Sequence, residues 1–226
     1  GTGWGKYGHF LVSPQIGLKV GETEHDSPAA DEVTMPNYYK ATLTRYDITA
    51  EVTPAEHAAI YRFTFPESDN AMDVTHSLTR DIAKFIGGSV RSNTVAIDPA
   101  SPGRFSGMIE YEGGFSGGYY KLYFSAELSK RPASFGVWKN GSLQNGACEA
   151  VLTSGNDRIG SYFTYKTKKG EAIYMKIAIS FKSIEQARKY LAKEIPAWDF
   201  AAVQKNGLRR WNSILSDIVV SEGPAI

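Results

Sequence analysis

The feature that most constrains the fold of this chain is a long series of short runs rich in Tyr, Phe, Val, Ile and Thr, each bounded by turn residues. About a dozen such runs follow one another at the spacing typical of an all-β domain. They are His9–Val12, Tyr38–Leu43, Ile48–Thr53, His57–Phe65, Met72–Ser77, Lys84–Val90, Thr94–Ile97, Arg104–Tyr111, Tyr119–Glu127, Ala133–Trp138, Ala147–Thr153, Ser161–Thr167 and Ala172–Phe181. The sequence therefore predicts a mainly β fold, an antiparallel sandwich of two sheets, and not a parallel α/β core.

Alternation within the runs indicates which side chains face the core. Leu122 and Phe124 fall on one face of their strand, and Lys121 and Tyr123 fall on the other. The run Ala172–Phe181 is the longest and most apolar, so we expect it at the centre of a sheet.

Turn residues indicate where the strands are interrupted. The polar stretch Gly21–Pro36 predicts a surface loop, and Lys139–Ser142 and Gly113–Gly114 predict hairpin turns.

Past Phe181 the apolar residues recur with the period of a helix. Ser183 is a suitable N-cap for a first helix that ends near Glu194, before Pro196, and Asp199 is a suitable cap for a second. The first helix has an apolar stripe of Ile184, Ala187, Tyr190 and Leu191. The second has an apolar face of Val203, Leu208, Trp211, Ile214 and Leu215, interrupted by the weak helix former Gly207. A final strand is predicted at Ile218–Ser221.

Charge and composition exclude several classes of partner. The 25 basic and 24 acidic residues give a net charge of +1, so nothing favours nucleic acid or an anionic membrane, and a neutral ligand fits better. No apolar run is long enough to span a membrane. The single cysteine, Cys148, excludes an internal disulfide and a Cys-based zinc cluster and is expected to be structural.

The most suggestive stretch for ligand binding is the glycine-rich segment Gly1–Gly8, which combines backbone freedom with the side chains of Trp4, Lys6 and Tyr7. No motif for a nucleophilic serine, a zinc site or a phosphate loop occurs, and no pair of carboxylates is marked as catalytic. The residues alone leave two interpretations open, a carbohydrate-binding module and a subunit of an enzyme.

Three stretches together resemble the N-terminal domain of glycoside hydrolase family 92, the calcium-dependent exo-acting α-mannosidases. They are GTGWGKYGHFLVSPQIG at 1–17, NYYKATLTRYDITAEVTPAEHAAIYRFTFPES at 37–68, and ISFKSIEQARKYLAKEIPAWDFAAVQKNGLRRWNSILSDIVVSEG at 179–223. The middle of the chain, from about Ala71 to Lys169, matches in the spacing of its strands more than in its residues.

The resemblance implies a two-domain enzyme in which helices join the sandwich to a larger α/α barrel, with the active site in the cleft between them. The barrel of the family carries the calcium ligands, the general acid and the base that activates water for an inverting displacement. Calcium binds the O2 and O3 hydroxyls of the terminal mannose.

On this reading, residues 1–181 form the sandwich domain, and residues 182–226 form a helical connector towards an absent barrel. The chain has no catalytic residue and no metal ligand of its own, and is expected to be inactive alone. The family's segment before the glycine loop also appears to be missing, and the sheet edges left exposed would allow association with a second copy of the chain.

The resemblance also assigns a substrate-binding role to the glycine loop. Trp4 would line the leaving-group side of a cleft for α-1,2-linked mannose, since an indole packs on the C–H face of a sugar, with Thr2 and the amides of Gly3 and Gly5 as polar partners. The substrate would be a mannose-containing oligosaccharide of the N-glycan or mannan type. A secreted, periplasmic or cell-surface bacterial protein is expected from the family alone. The competing interpretation is a stand-alone carbohydrate-binding or protein-interaction module.

Overall fold

The computed structural model describes residues 10–21, 24–77, 89–112, 118–153 and 158–216 of the chain. Within these ranges the chain forms fourteen strands and two helices. The strands are β1 (Phe10–Ile16), β2 (Ala29–Met35), β3 (Tyr38–Leu43), β4 (Ile48–Pro54), β5 (Ala58–Phe65), β6 (Ser68–Ser77), β7 (Ser89–Ile97), β8 (Arg104–Glu112), β9 (Tyr119–Leu128), β10 (Ser134–Lys139), β11 (Ser142–Asn145), β12 (Glu149–Leu152), β13 (Ile159–Thr167) and β14 (Glu171–Ser180). The helices are α1 (Ile184–Glu194) and α2 (Phe200–Leu215).

The strands make two antiparallel sheets, which confirms the predicted fold class. One sheet has five strands in the order β1-β6-β13-β10-β11, and the other has nine in the order β12-β7-β8-β9-β14-β5-β4-β3-β2. Strand β14 is the middle strand of the larger sheet, as its apolar sequence predicted.

The main core lies between the sheets and is built from the inward faces of their strands. Phe63 and Ile173 from the large sheet and Phe163 and Tyr165 from the small sheet are almost fully buried there. Leu122 and Phe124 are buried and Lys121 is exposed, as alternation predicted. Cys148 packs at the margin of this core as a free, half-buried thiol.

Two strands were missed by the sequence prediction, and each lies at a sheet edge. Strand β2 occupies part of the predicted loop Gly21–Pro36; its side chains are mostly exposed, so it lacks the apolar alternation that marks the other strands. Strand β11 directly follows the predicted turn, in which Asn140 (φ 50°) and Gly141 (φ 81°) adopt the left-handed conformations of a two-residue hairpin. It is only four residues long and fully exposed.

Other differences concern strand lengths. Strand β1 continues through Pro14 to Ile16 because it is an edge strand, where a missing N–H can face away from the neighbouring strand. The predicted runs Lys84–Val90 and Thr94–Ile97 both overlap a single strand, β7, which accommodates an irregularity between Val90 and Ser92; residues 84–88 lie outside the described residues. The predicted turn Gly113–Gly114 and the predicted strand Ile218–Ser221 lie outside the described residues.

Both helices begin at the predicted caps. The Ser183 side chain accepts a hydrogen bond from the Gln186 amide, and the Asp199 side chain accepts one from the Ala202 amide. The helices cover the outer face of the large sheet, where they form a second core around Ile60, Leu191 and Phe200. The helical connector therefore packs on the sandwich.

Candidate functional site

The described strands bring several chain segments to one end of the sandwich, here called the loop end. Strand β1 begins at Phe10, opposite Ser77 at the end of β6. In the large sheet, Ser89, Glu112 and Tyr119 are neighbours across three strands. The two sets lie at the same end, because the ring of Phe10 packs 4.7 Å from that of Phe124 and contacts the cluster of Val90, Ile109 and Leu122.

The predicted substrate-binding residues Thr2, Gly3, Trp4 and Gly5 lie outside the described residues, but the chain enters β1 from the loop end. Exposed apolar side chains are already present there. Tyr119 is 60% exposed and Phe181 is 58% exposed, and the ring of Phe181 lies 6.3 Å from that of Tyr120. Exposed aromatic rings such as these can pack on the apolar faces of a sugar.

The connector is fastened to the sheet by buried charged groups that sequence reasoning missed. Glu51 of β4 is buried and accepts two hydrogen bonds of 2.6 Å from the Arg62 guanidinium and one of 2.7 Å from the Tyr38 hydroxyl. The Arg62 guanidinium also lies over the ring of Phe200, at the start of α2, at 4.7 Å. This cluster fixes the first turn of α2 against β4 and β5.

The electrostatics of this cluster follow from the contacts. Burial alone would raise the pKa of Glu51, but the hydrogen bonds from Arg62 and Tyr38 outweigh it and leave the pKa below its ordinary value. The hydrogen bonds with Glu51 raise the pKa of Arg62. Burial, and then the hydrogen bond to Glu51, raise the pKa of Tyr38 to about 12. At neutral pH the cluster therefore holds a charged pair and a neutral phenol.

A second buried cation fixes the turn between the helices. The Lys176 ammonium on β14 donates to the carbonyl of Ile195 at 3.2 Å, pairs with Glu127 at 3.4 Å and lies 4.4 Å from the ring centre of Trp198. The Lys176 side chain is only 7% exposed. The ammonium thus binds the turn through both a carbonyl and an aromatic face.

The end of α1 is held by Glu194, which binds the turn between β4 and β5. One carboxylate oxygen accepts the backbone amides of Glu56, His57 and Ala58 at 3.0, 2.8 and 3.2 Å. The other lies 2.8 Å from Nδ1 of His57, whose ring stacks on Tyr190 at 3.9 Å. His57, which directly precedes β5, is therefore a polar group with its partners satisfied.

Gly207, predicted as a weak point of the second helix, is a site of close approach. A Cβ atom at this position would lie 3.2 Å from Cβ of Asn37 and 3.5 Å from the carbonyl of Pro54. The Asn37 side chain in turn donates to the carbonyl of Gln204 at 3.0 Å. A glycine here lets α2 lie directly against the start of β3 and the end of β4.

The predicted apolar face of α2 is mostly not buried. Val203 is buried, whereas Leu208, Trp211, Ile214 and Leu215 are 41–58% exposed. Beside this face lies a groove of about 540 Å³ lined by Pro36, Pro54, Val203, Trp211 and Ile214, with the ion pair of Glu56 and Arg210 at 3.1 Å. Trp138 is fully buried, and Trp198 lies in the turn between the helices.

The acidic side chains of the described residues do not gather into a metal-binding cluster. Within these ranges, no group of three or more His, Cys, Asp or Glu side chains is placed to hold a metal ion. The carboxylate of Glu110 accepts a hydrogen bond from the Ser92 hydroxyl at 3.2 Å and lies 3.8 Å from the Lys121 ammonium.

A known protein family matches most of this chain. The model of the glycosyl hydrolase family 92 N-terminal domain matches residues 1–180. The chain belongs to this family. The family 92 match spans the glycine-rich segment and all fourteen described strands, and it confirms the predicted resemblance.

Solved structures similar to this family 92 domain include two mannosidases from Bacteroides thetaiotaomicron. A family GH92 α-mannosidase superposes with a TM-score of 0.80 at 24% identity, covering 96% of this chain and 29% of its own. A family GH92 inverting mannosidase superposes with a TM-score of 0.80 at 20% identity, covering 95% and 27%. At these identities the likeness concerns the fold.

A curated relative is an uncharacterized secreted glycosidase from Arthroderma benhamiae, 24% identical over 221 residues, which cover 86% of this chain and 26% of the relative. The family 92 chain thus spans between about a quarter and a third of the length of these proteins. No helix in the described ranges is both long and apolar enough to cross a membrane.

Proposed function

We propose that this chain is the non-catalytic, N-terminal half of a calcium-dependent, inverting exo-α-mannosidase that removes α-1,2-linked mannose from N-glycans or mannan. The family match over residues 1–180 is the observation that carries the proposal. Membership of a glycosidase family implies a sugar substrate, and the limited coverage of the relatives is consistent with a catalytic domain beyond the sandwich. A secreted, periplasmic or cell-surface location goes with this proposal, supported by the secreted relative.

The connector supports the proposed division into a sandwich domain at 1–181 and a connector at 182–226. Four large apolar side chains of α2 are exposed, although the same helix is firmly attached to the sheet through Phe200 and Val203. A helix attached on one side and apolar on the other is suited to packing between two domains. We assign its outer face, at Leu208, Trp211, Ile214 and Leu215, to contact with the α/α-barrel catalytic domain.

The glycine loop would complete the substrate cleft from the loop end of the sandwich. In this proposal Trp4 stacks on the sugar of the leaving group, and Thr2, Gly3 and Gly5 supply polar contacts. The aromatic surface of Tyr119, Tyr120 and Phe181 at the same end supports that placement. The calcium ligands, the general acid and the base would come from the catalytic domain.

The test separates half of a composite site from a stand-alone carbohydrate-binding module. Titration calorimetry of the 226-residue chain with α-1,2-mannobiose should show no binding, and the chain alone should release no mannose in the presence of calcium. In the polypeptide of the complete reading frame, Trp4→Ala should lower kcat/KM by at least about tenfold, and Trp4→Phe should restore part of it. Millimolar binding by the chain alone that vanishes in Trp4→Ala would instead establish a binding module, and calcium-dependent hydrolysis by the chain alone would refute the proposal.

A further inference from the structure

A second groove lies at the end of the sandwich opposite to the loop end. It is formed by the turn at 100–104 between β7 and β8, by Glu127 and Leu128 at the end of β9, and by Arg131 and Trp198, and it has a volume of about 260 Å³. Strand β9 runs from Tyr119 at the loop end to Leu128 here, so the length of the strand separates this groove from the loop end. We call it the Trp198 groove.

The aromatic wall of the groove is fixed in place yet remains accessible. The indole of Trp198 is 38% exposed, although the Lys176 ammonium lies 4.4 Å from its ring centre. Lys176 is itself held by the carbonyl of Ile195 and the carboxylate of Glu127, so its ammonium is fixed where it favours this position of the indole through a cation–π contact. A fixed, partly exposed indole is the kind of surface on which the C–H face of a sugar packs.

The opposite wall is preformed by backbone hydrogen bonds. The Asp98 carboxylate accepts the amide of Ala100 at 2.9 Å, the Arg104 amide donates to the carbonyl of Ser101 at 2.7 Å, and the Leu128 amide donates to the carbonyl of Gly103 at 2.8 Å. The turn therefore needs no rearrangement to receive a ligand, which lowers the entropic cost of binding. The volume suits one sugar unit, since it is below the roughly 300 Å³ at which pockets for larger ligands begin.

The charged side chains that line the groove indicate which kind of sugar it would bind. Glu127 is already engaged by Lys176 and by Arg104, at 3.4 and 3.3 Å, so its negative charge is compensated. Arg131 is exposed, and among the described residues its guanidinium has no hydrogen bond or ion pair. A guanidinium free to bind at the rim of a groove favours a carboxylate or a phosphate, which it can hold with two parallel hydrogen bonds.

We propose that the Trp198 groove is a binding site for a single acidic sugar unit, one that carries a carboxylate or a phosphate. The sugar ring packs on Trp198, and its anionic group is held by Arg131. The proposal rests on the described residues and does not depend on the proposed mannosidase activity. It would attach the protein to a glycan that carries such units.

The experiment follows the indole N–H signals of the four tryptophans in ¹H–¹⁵N spectra of the whole chain, assigned with Trp198→Phe and Trp211→Phe. The probes are mannose 6-phosphate, glucuronic acid, mannose and inorganic phosphate. We expect saturable, millimolar shifts of the Trp198 signal with the two acidic sugars, at least about tenfold weaker binding of mannose, and no shift of the Trp211 signal. Arg131→Gln should weaken the binding of the acidic sugars at least about fivefold, whereas the control Arg210→Gln, on α2, should leave it unchanged.

Three results would overturn the proposal. The first is an absence of saturable shifts at Trp198 with either acidic sugar. The second is equal sensitivity to Arg131→Gln and Arg210→Gln, which would indicate a general charge effect. The third is a response to inorganic phosphate as strong as that to mannose 6-phosphate, which would show that the anion binds without the sugar.

Discussion

Glu194 offers the sharpest test of how the connector is fastened, because a single carboxylate holds three consecutive backbone amides of another element. Glu194→Ala removes all of these acceptors at once. Hydrogen bonds to a charged group contribute about 1.5–3 kcal/mol each when buried. Only the amides of His57 and Ala58 are partly buried, and that of Glu56 is exposed, so we count two bonds at the low end of this range.

The expected loss in the free energy of unfolding is therefore about 3 kcal/mol. In a domain of this length each kcal/mol lowers Tm by about 2–4 °C, which predicts a decrease of about 6–12 °C in a thermal scan. Glu194→Gln keeps an oxygen acceptor and the shape of the side chain, so its loss should be clearly smaller. Hydrogen exchange should show faster exchange of the amides of residues 56–58 in Glu194→Ala, because their acceptor is gone.

The matched control is Glu185→Ala in the same helix. Glu185 is 70% exposed and forms one ion pair with Lys189, four residues on, so its removal should leave Tm nearly unchanged. A similar decrease of Tm in both alanine variants would show that the contacts of Glu194 do not set the stability of the connector. Unchanged exchange of the three amides in Glu194→Ala would refute the reasoning as well.

Two further predictions concern the same interface. Glu51→Gln should lower the free energy of unfolding at pH 7 by about 2–3 kcal/mol, which is less than for a fully buried pair because the Arg62 side chain is one-third exposed. The folded pKa of Glu51 is depressed, so this stabilisation is complete above its unfolded pKa of about 4.3 and is lost as the pH falls through the lower folded pKa. The free energies of unfolding in urea of the original protein and the variant should therefore converge only in strong acid. Helix propensity alone would raise the free energy of unfolding of Gly207→Ala by about 1 kcal/mol, but we expect no such increase because the new Cβ would contact Asn37. Gly207→Leu should be destabilising. An increase of about 1 kcal/mol for Gly207→Ala in urea unfolding would contradict the close contact.

The sequence predicted the two antiparallel sheets, the central position of β14 and both helix caps, because these depend on local signals. Alternation, turn residues and capping side chains act within a few positions of the chain. The edge strands β2 and β11 were not predicted because their side chains are largely exposed, so packing in a core does not require apolar alternation in them. Their existence depends on a neighbouring strand that local sequence does not reveal.

The candidate site was harder to predict, since its groups meet only in the folded chain. Glu194 contacts residues more than 130 positions away, and Lys176 meets a carbonyl nineteen positions further on. A charged residue in an otherwise apolar strand, such as Lys176 in β14, is the one signal that the sequence offered. A buried lysine needs a group that compensates its charge, but the sequence does not show which group that is.

The charged groups beneath α1 and α2 indicate why these helices are held in one orientation. Apolar side chains of similar size at Glu51, Arg62 and Lys176 would hold α1 and α2 with comparable or greater stability, because burying charges costs desolvation energy. Such packing would accept several helix orientations, whereas paired charges and carbonyl contacts are satisfied in one geometry. The orientation matters because α2 presents Trp211 and Ile214 outward, and the direction of that face sets where a neighbouring domain can lie. We therefore interpret the buried ionic contacts as fixing the position of the helices, at some cost in stability.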